Sequence, residues 1–317
     1  MKRVFINPGW GRTATTTLHE ELYGKHSEIL HIGRPWNNLT SAFVTELKRN
    51  CINYDQQLVA SMIKKMDKGD DKAYVLCDEN ILGGISLQPN SSIICTYANR
   101  MKELFVNPHI VLVLRNQITW LESFYSNCGR VLKDLPDPFN GRHVEIDSWL
   151  EWQWKECNSE RSFINHINYN KYVNMFIEVF GENNVHIFLF EDFVHQKKYF
   201  VEKLSSLMDI NKKEALDLVT GKHSNKQQPN KMFIYMKLRE KILPGVRLNK
   251  IIPGGGGRVI LEKFTKYLST GKPCDKVKIP ADWIDKLENY YREDNSILSE
   301  KFNLKEKFIK YSYPIIK

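Results

Sequence analysis

The sequence predicts an α/β protein built on a mostly parallel sheet flanked by helices, and two observations carry that expectation. Apolar runs of strand length recur at 4–6, 73–77, 110–114 and 185–190, separated by longer stretches with helical spacing. The first of these runs also breaks into a glycine-containing loop, Asn7-Pro8-Gly9-Trp10-Gly11, from which a hydroxyl-rich segment opens a helix. A strand, a tight turn and a helix N-terminus in that order form a phosphate cradle, and such a P-loop-like start belongs to parallel sheets.

The cradle runs Gly11-Arg12-Thr13-Ala14-Thr15-Thr16-Thr17. Backbone amides at a helix N-terminus, with the positive end of the dipole behind them, attract an anion. Thr13, Thr15, Thr16 and Thr17 add hydroxyl donors, and Arg12 adds a fixed charge with forked donors. Leu18 and Leu22 fall on one helical face and are expected to point inward, with Gly24 as the stop. A nucleotide-triphosphatase loop would need Gly-Lys-Ser/Thr, which this loop lacks.

The second strand and its exit are read in 26–36, which contains His31 and Arg34. His31 is a candidate base, with a structural histidine as the alternative. Helical spacing runs through 39–66, with Leu47, Leu58, Met62 and Ile63 as apolar positions. The strand Ala73–Cys77 delivers Asp78 and Glu79 to its carboxyl end, where open α/β sheets bind ligands. Either acid is placed to act as a general base, and capping the next turn is the alternative.

The strand at 109–114 ends in Arg115, and the helix after it carries Leu121, Phe124, Tyr125 and Cys128 toward the core. Thr119, Glu122, Ser123, Ser126 and Arg130 fall on its polar side. An ATPase strand at this place ends in Asp to hold magnesium, whereas Arg115 suits a phosphate. Trp149 and Trp152 are spaced for burial in a helix, and an amphipathic helix at 169–180 stops at Gly181. The strand at 185–190 ends in Glu191-Asp192, read as structural acids. Two helices are expected between Lys197 and Val219, a further one reaching Arg239, and another from Trp283 to Leu298. Gly254-Gly255-Gly256-Gly257-Arg258 would let backbone approach an anion closely, and a plain linker is the alternative.

The loop at 12–18 resembles the 5′-phosphosulfate loop of the sulfotransferases, with Arg12, Thr13, Thr15, Thr16 and Leu18 in register. Ala14 replaces a customary glycine, which asks this position to avoid a positive φ. The stretch Arg115-Asn116 with Ser123 and Tyr125 is similar to the family's 3′-phosphate motif, although Gln117 replaces its proline and Trp120 stands where many members have an arginine. The glycine run with Arg258 is similar to the loop that closes over the nucleotide, and Tyr291-x-x-Asp294-Asn295-x-x-Leu298 with Tyr313-Pro314 is similar to bacterial family tails.

The resemblance implies one domain over 1–317, with nucleotide motifs at 4–18 and 109–125 and acceptor-binding helices at about 130–180 and 195–317. It implies transfer of a sulfuryl group from 3′-phosphoadenosine 5′-phosphosulfate (PAPS, product PAP) to a hydroxyl, on a sugar, glycan or glycolipid, or on a small alcohol such as a sterol or phenol. It implies no metal. Gly11, Arg12, Thr13, Ala14, Thr15, Thr16, Thr17, Arg115, Ser123 and Arg258 would bind the nucleotide, and Arg12 with Glu79, Asp78 or His31 would carry catalysis. Arg34 stands where several members have the catalytic Glu, so that base is not carried over. The rival readings are a kinase-like phosphoryl transferase and a non-catalytic nucleotide or nucleic-acid binding module.

The balance of 46 Lys plus Arg against 37 Asp plus Glu gives +9, which suits an anionic ligand or an acidic surface. The six cysteines form no C-x-x-C or Cys/His cluster and read as reduced residues of a cytoplasmic protein. No apolar run is long enough to span a bilayer, and peripheral membrane contact is compatible with the charge.

Overall fold

The structure is a computed structural model that describes residues 3–33, 37–67, 72–82, 91–126, 144–157, 162–220, 230–242, 263–264, 266–268, 270–272 and 277–316. Five strands form one all-parallel sheet: β1 (Val4–Asn7), β2 (Ile29–Ile32), β3 (Ala73–Cys77), β4 (His109–Leu114) and β5 (Val185–Leu189), in the order β2-β3-β1-β4-β5. The strands alternate between two buried faces. Ile110, Leu112 and Leu114 enter one apolar core with Val4 and Ile6, while Val111 and Val113 enter the other with Phe5. Burial on both faces is why these runs are continuously apolar.

One face is covered by the helices Thr17–Tyr23, Lys197–Met208 and Lys212–Val219, whose Leu18, Leu22, Phe200, Leu204 and Val219 are buried. The other is covered by Asn38–Leu47, Gln56–Met66, Ser91–Leu104, Gln117–Phe124, Ile146–Lys155, Tyr169–Phe180 and Ala281–Lys301. Trp149 is fully buried, as its spacing predicts, and Gly181 at φ 88 ends the helix Tyr169–Phe180. The topology fixes where a ligand belongs. The chain runs from β1 outward to β2 and β3, then crosses to β4 and β5 on the opposite side, so the order reverses at β1 and β4 and leaves a crevice at their carboxyl ends.

Two expectations are corrected, and one helix is found with an unusual winding. The stretch 39–66 is two helices, Asn38–Leu47 and Gln56–Met66, each capped by a side chain, from Asn37 and Asp55, and Leu58 is exposed. Ala14 does not avoid a positive φ: it sits at φ 65, and Arg12 at φ 71. The helix after the cradle is wound as a π-helix over Thr17–Tyr23, with Gly24 N–H reaching His19 O.

Candidate active site at the carboxyl edge of β1 and β4

The loop after β1 is built around close approaches. Gly9 has φ 43, and a Cβ there would come within 2.9 Å of Thr15 Cγ2 and 3.1 Å of Asn7 Oδ1, so only glycine fits. Trp10 is buried, donates from its indole N–H to His166 O at 3.0 Å, and meets Tyr169 edge-on at 4.7 Å between ring centres. Thr13 Oγ1 donates to Trp10 O at 2.6 Å. The indole of Trp120, from the helix Gln117–Phe124, donates to Gly11 O at 2.7 Å. The turn is therefore anchored on both sides. With Arg12 and Ala14 both left-handed and Thr13 between them at negative φ, successive amides alternate as in a backbone nest for an anion. The helix then begins, with Leu18 N–H donating to Ala14 O at 3.0 Å.

The two motifs meet here. Arg12 Nε donates to Ser123 Oγ at 3.1 Å across 111 residues of sequence, and Arg115 Nη1 donates to Arg12 O at 3.0 Å. Arg115 Nε donates to Thr119 Oγ1 at 3.1 Å, and its guanidinium lies 4.5 Å from the centre of the Phe190 ring. Burial pulls the Arg115 pKa down, the neighbouring Glu191 opposes that shift, and Arg12 adds to it. An arginine keeps its proton under such shifts, so the crevice holds two fixed positive charges.

Arg115 is held by a frame that reaches the end of the chain. Tyr169 OH donates to Arg115 O at 2.7 Å. Asn116 caps the motif helix by accepting from Thr119 N at 3.1 Å, its own N–H donates to Glu191 Oε1 at 2.9 Å, and its amide donates to Ser312 O at 2.6 Å. Tyr313 OH closes the frame on Glu191 Oε2 at 2.8 Å. Burial raises the Glu191 pKa, against the hydrogen bonds from Asn116 and Tyr313 and the charge of Arg115. Glu191 is thus structural, as its position at a strand end suggested, but its structure is that of the site. The motif helix's polar side is also covered: Glu122 accepts from Ile279 N at 3.2 Å and pairs with Lys278 at 3.0 Å, and Ser126 Oγ accepts from Val277 N.

The remaining candidates lie on the β2–β3 side. Asp78 is buried, and its carboxylate is paired with Lys48, at the end of the helix Asn38–Leu47. That end is secured by Arg100, whose Nη1 donates to Leu47 O at 2.7 Å. Glu79 is half-buried and opens the turn Glu79–Leu82. His31 lies within β2, with its Nε2 buried and lacking a hydrogen-bond partner, and burial lowers its pKa to about 4. Such a histidine is a weak base near neutrality. Gly11, Thr13, Thr15, Thr16 and Thr17 all belong to the cradle, whereas Arg34, Cys128, Arg130 and the glycine run with Arg258 lie outside the described residues.

Sequence reasoning missed Lys48, Trp10 and Tyr169 as members of the site, and placed Trp120 only as a departure from a pattern. Their partners lie 30 to 156 residues away in sequence, and no local periodicity encodes such pairs. Among the described residues, no group of three or more His, Cys, Asp or Glu side chains is arranged to hold a metal ion, and no helix is long and apolar enough to cross a membrane.

No protein-family model matches the chain, and no curated protein matches it by sequence. Among solved structures it is similar to a sulfotransferase from Alicyclobacillus acidocaldarius at 15% identity and a TM-score of 0.46, covering 79% of this chain and 98% of that one. It is similar to a sulfotransferase domain from the curacin biosynthetic pathway at 14% identity and a TM-score of 0.41, covering 86% and 99%. A mouse sulfotransferase complexed with PAP aligns at 14% identity and a TM-score of 0.39, over 91% of this chain and 89% of that one.

Proposed function

We propose that the chain is a sulfotransferase that takes the sulfuryl group from 3′-phosphoadenosine 5′-phosphosulfate and transfers it to an acceptor hydroxyl. The observation that carries this reading is the convergence of Arg12, Ser123 and Arg115 at the sheet's switch point, through Arg12 Nε to Ser123 Oγ at 3.1 Å and Arg115 Nη1 to Arg12 O at 3.0 Å. A ligand with phosphate at both its 5′ and 3′ ends suits two arginines held by separate elements beside a backbone nest.

In this reading the donor, when bound, supplies the sulfuryl group that moves to the acceptor oxygen. Arg12 and the amides of the Gly11 to Thr17 loop bind its 5′ end and stabilise the negative charge that grows there during transfer. Arg115 and Ser123 bind the 3′-phosphate and set the register of the nucleotide. The frame of Glu191, Asn116, Tyr169 and Tyr313 keeps Arg115 in place. Glu79 takes the acceptor proton, because Asp78 is engaged by Lys48 and burial weakens His31 as a base. The acceptor in this proposal is a sugar hydroxyl on a glycan or glycolipid, following the resemblance of the two motifs and the tail to the carbohydrate and bacterial branches.

Calorimetric titration of the metal-free protein with PAP tests the reading, with ATP plus magnesium as comparison. Binding of PAP that is lost in Arg115→Ala supports it. Selective binding of ATP plus magnesium would replace it with a phosphoryl transferase.

A further inference from the structure

The acid pair that follows β5 is bound by the tail of the chain. Glu191 and Asp192 stand in the first turn of the helix Phe190–His195, and each meets a tyrosine that follows the helix Lys305–Lys310. Asp192 accepts from Tyr311 OH at 2.8 Å and pairs with Lys307, while Glu191 accepts from Tyr313 OH at 2.8 Å. The Tyr313 ring is buried and stacks on Phe308 with 4.2 Å between ring centres. The residues on either side of it are tied down as well: Asn116 Nδ2 donates to Ser312 O at 2.6 Å, and Asn295 Nδ2 donates to Pro314 O at 2.9 Å. Asn295 is in turn paired through its amide with Gln117, the first residue of the motif helix, by bonds of 2.7 and 3.2 Å. The Tyr313 hydroxyl is therefore a donor fixed in place.

Glu191 is also close enough to Arg115 for each to shift the other's titration. Among the described residues, however, the two share no hydrogen bond or ion pair. The carboxylate oxygens are taken by Asn116 N–H and Tyr313 OH, and the guanidinium is bonded to Thr119 Oγ1 and the Arg12 carbonyl, which leaves its Nη2 without a protein partner. An arginine beside a free carboxylate in a half-buried site closes a forked pair of charge-assisted bonds. We propose that Tyr313 is a positioning residue for nucleotide selection: its hydroxyl holds the Glu191 carboxylate off Arg115, so that the remaining guanidinium donors meet the 3′-phosphate of the ligand and not the protein's own acid. The inference rests on the PAPS reading above and deepens it, because it names what lets the site tell a 3′-phosphorylated nucleotide from one with a free 3′-hydroxyl. A tail that served the fold alone would support the two ligands equally.

The test is calorimetric titration of the full chain with PAP and with adenosine 5′-monophosphate, which lacks the 3′-phosphate. The unsubstituted protein should prefer PAP. Tyr313→Phe keeps the buried ring and its stacking on Phe308 and removes only the hydroxyl. In that variant PAP affinity should fall about tenfold, the scale of one hydrogen bond to a charged group, with adenosine 5′-monophosphate affinity unchanged. Glu191→Gln removes the competing charge, so alone it should keep PAP affinity within about threefold, and added to Tyr313→Phe it should restore what was lost. Equal binding of the two nucleotides by the unsubstituted protein would remove the PAPS reading and this inference with it. A preference for PAP that survives intact in Tyr313→Phe would overturn the inference alone. The same follows if the double variant binds PAP as weakly as Tyr313→Phe, because the loss then comes from a displaced Arg115 and not from a competing carboxylate. If circular dichroism shows Tyr313→Phe to be unfolded, Glu191→Gln decides by itself: a loss of PAP affinity of about tenfold or more makes Glu191 a support of the site and ends the proposal.

Discussion

The two halves of the sheet's carboxyl edge are held in different ways. On the β1–β4 side each side chain that defines the crevice is tied to a distant element: Arg12 to Ser123, Arg115 to the Arg12 carbonyl, Trp120 to Gly11, and Asn116 to the tail at Ser312. On the β2–β3 side the buried His31 Nε2 has no hydrogen-bond partner, and Glu79 is half-buried at the start of a short turn. Buried polar atoms without partners are costly, and they mark places where a bound group or water completes the set. In the proposed reading, the difference separates a preorganised anion site from an acceptor side whose polar groups are completed by what enters.

If that division is right, substitutions on the two sides should fail in different ways. Arg12→Ala should lower transfer by about 10³-fold while leaving the fold intact, since the lost group acts on charge that develops in transfer. Full retained activity in the purified variant would end both the assignment and the comparison. Glu79→Gln should lower kcat by about 10²-fold or more with PAP affinity unchanged, because a base is needed only at the chemical step. If Asp78→Asn shows that loss while Glu79→Gln is silent, the base is the Lys48-paired acid and the acceptor side is as tightly built as the donor side.

A pH series separates the sides through stability. His166 supports the loop after β1 through its carbonyl, and full burial lowers its ring pKa to about 3, while burial lowers that of His31 to about 4. Both are neutral in the folded protein at pH values where the unfolded chain is already taking up protons. Their contribution is complete above about pH 6.5 and is lost as pH falls toward 4, since the unfolded state binds more protons across that window. Each contributes a slope of about 1.4 kcal/mol per pH unit there. The His109–His186 pair at the opposite edge of the sheet shifts in the same direction. Urea unfolding at pH 7 and pH 5 should show the loss, and His166→Gln should reduce the difference by about 2 kcal/mol, the slope taken over the roughly 1.5 pH units below 6.5. An unchanged difference would mean that His166 is not desolvated as its burial implies.

How much of this was legible in the sequence follows the same division. Continuous apolar runs mark β1, β3, β4 and β5 because a doubly covered parallel strand has no polar face to interrupt them. Arg12, Arg115 and Ser123 are legible because each sits at a fixed offset from a strand end, so local spacing carries the information. The frame that aims them is not. Asn116 meets Ser312 across 196 residues and Trp120 meets Gly11 across 109, and such pairings are decided by how helices pack rather than by any period. Lys48 was invisible for the same reason, being placed beside Asp78 by the break that divides 39–66 into two helices.

Ala14 gives the smallest and sharpest test. Sequence reasoning asked it to avoid a positive φ, yet the loop holds it at φ 65, where a Cβ costs about 1–2 kcal/mol. Glycine would remove that strain, but it would add about 0.4–1 kcal/mol of unfolded-state entropy and give up a methyl buried in the apolar cluster that also holds Phe5 and Leu18. The opposing contributions nearly cancel, so Ala14→Gly should change stability by no more than about 1 kcal/mol in either direction, with PAP affinity preserved. A loss of more than about 1 kcal/mol in urea unfolding would mean that the methyl's packing outweighs the strain, and that the alanine holds the cradle's shape where a glycine would let it relax.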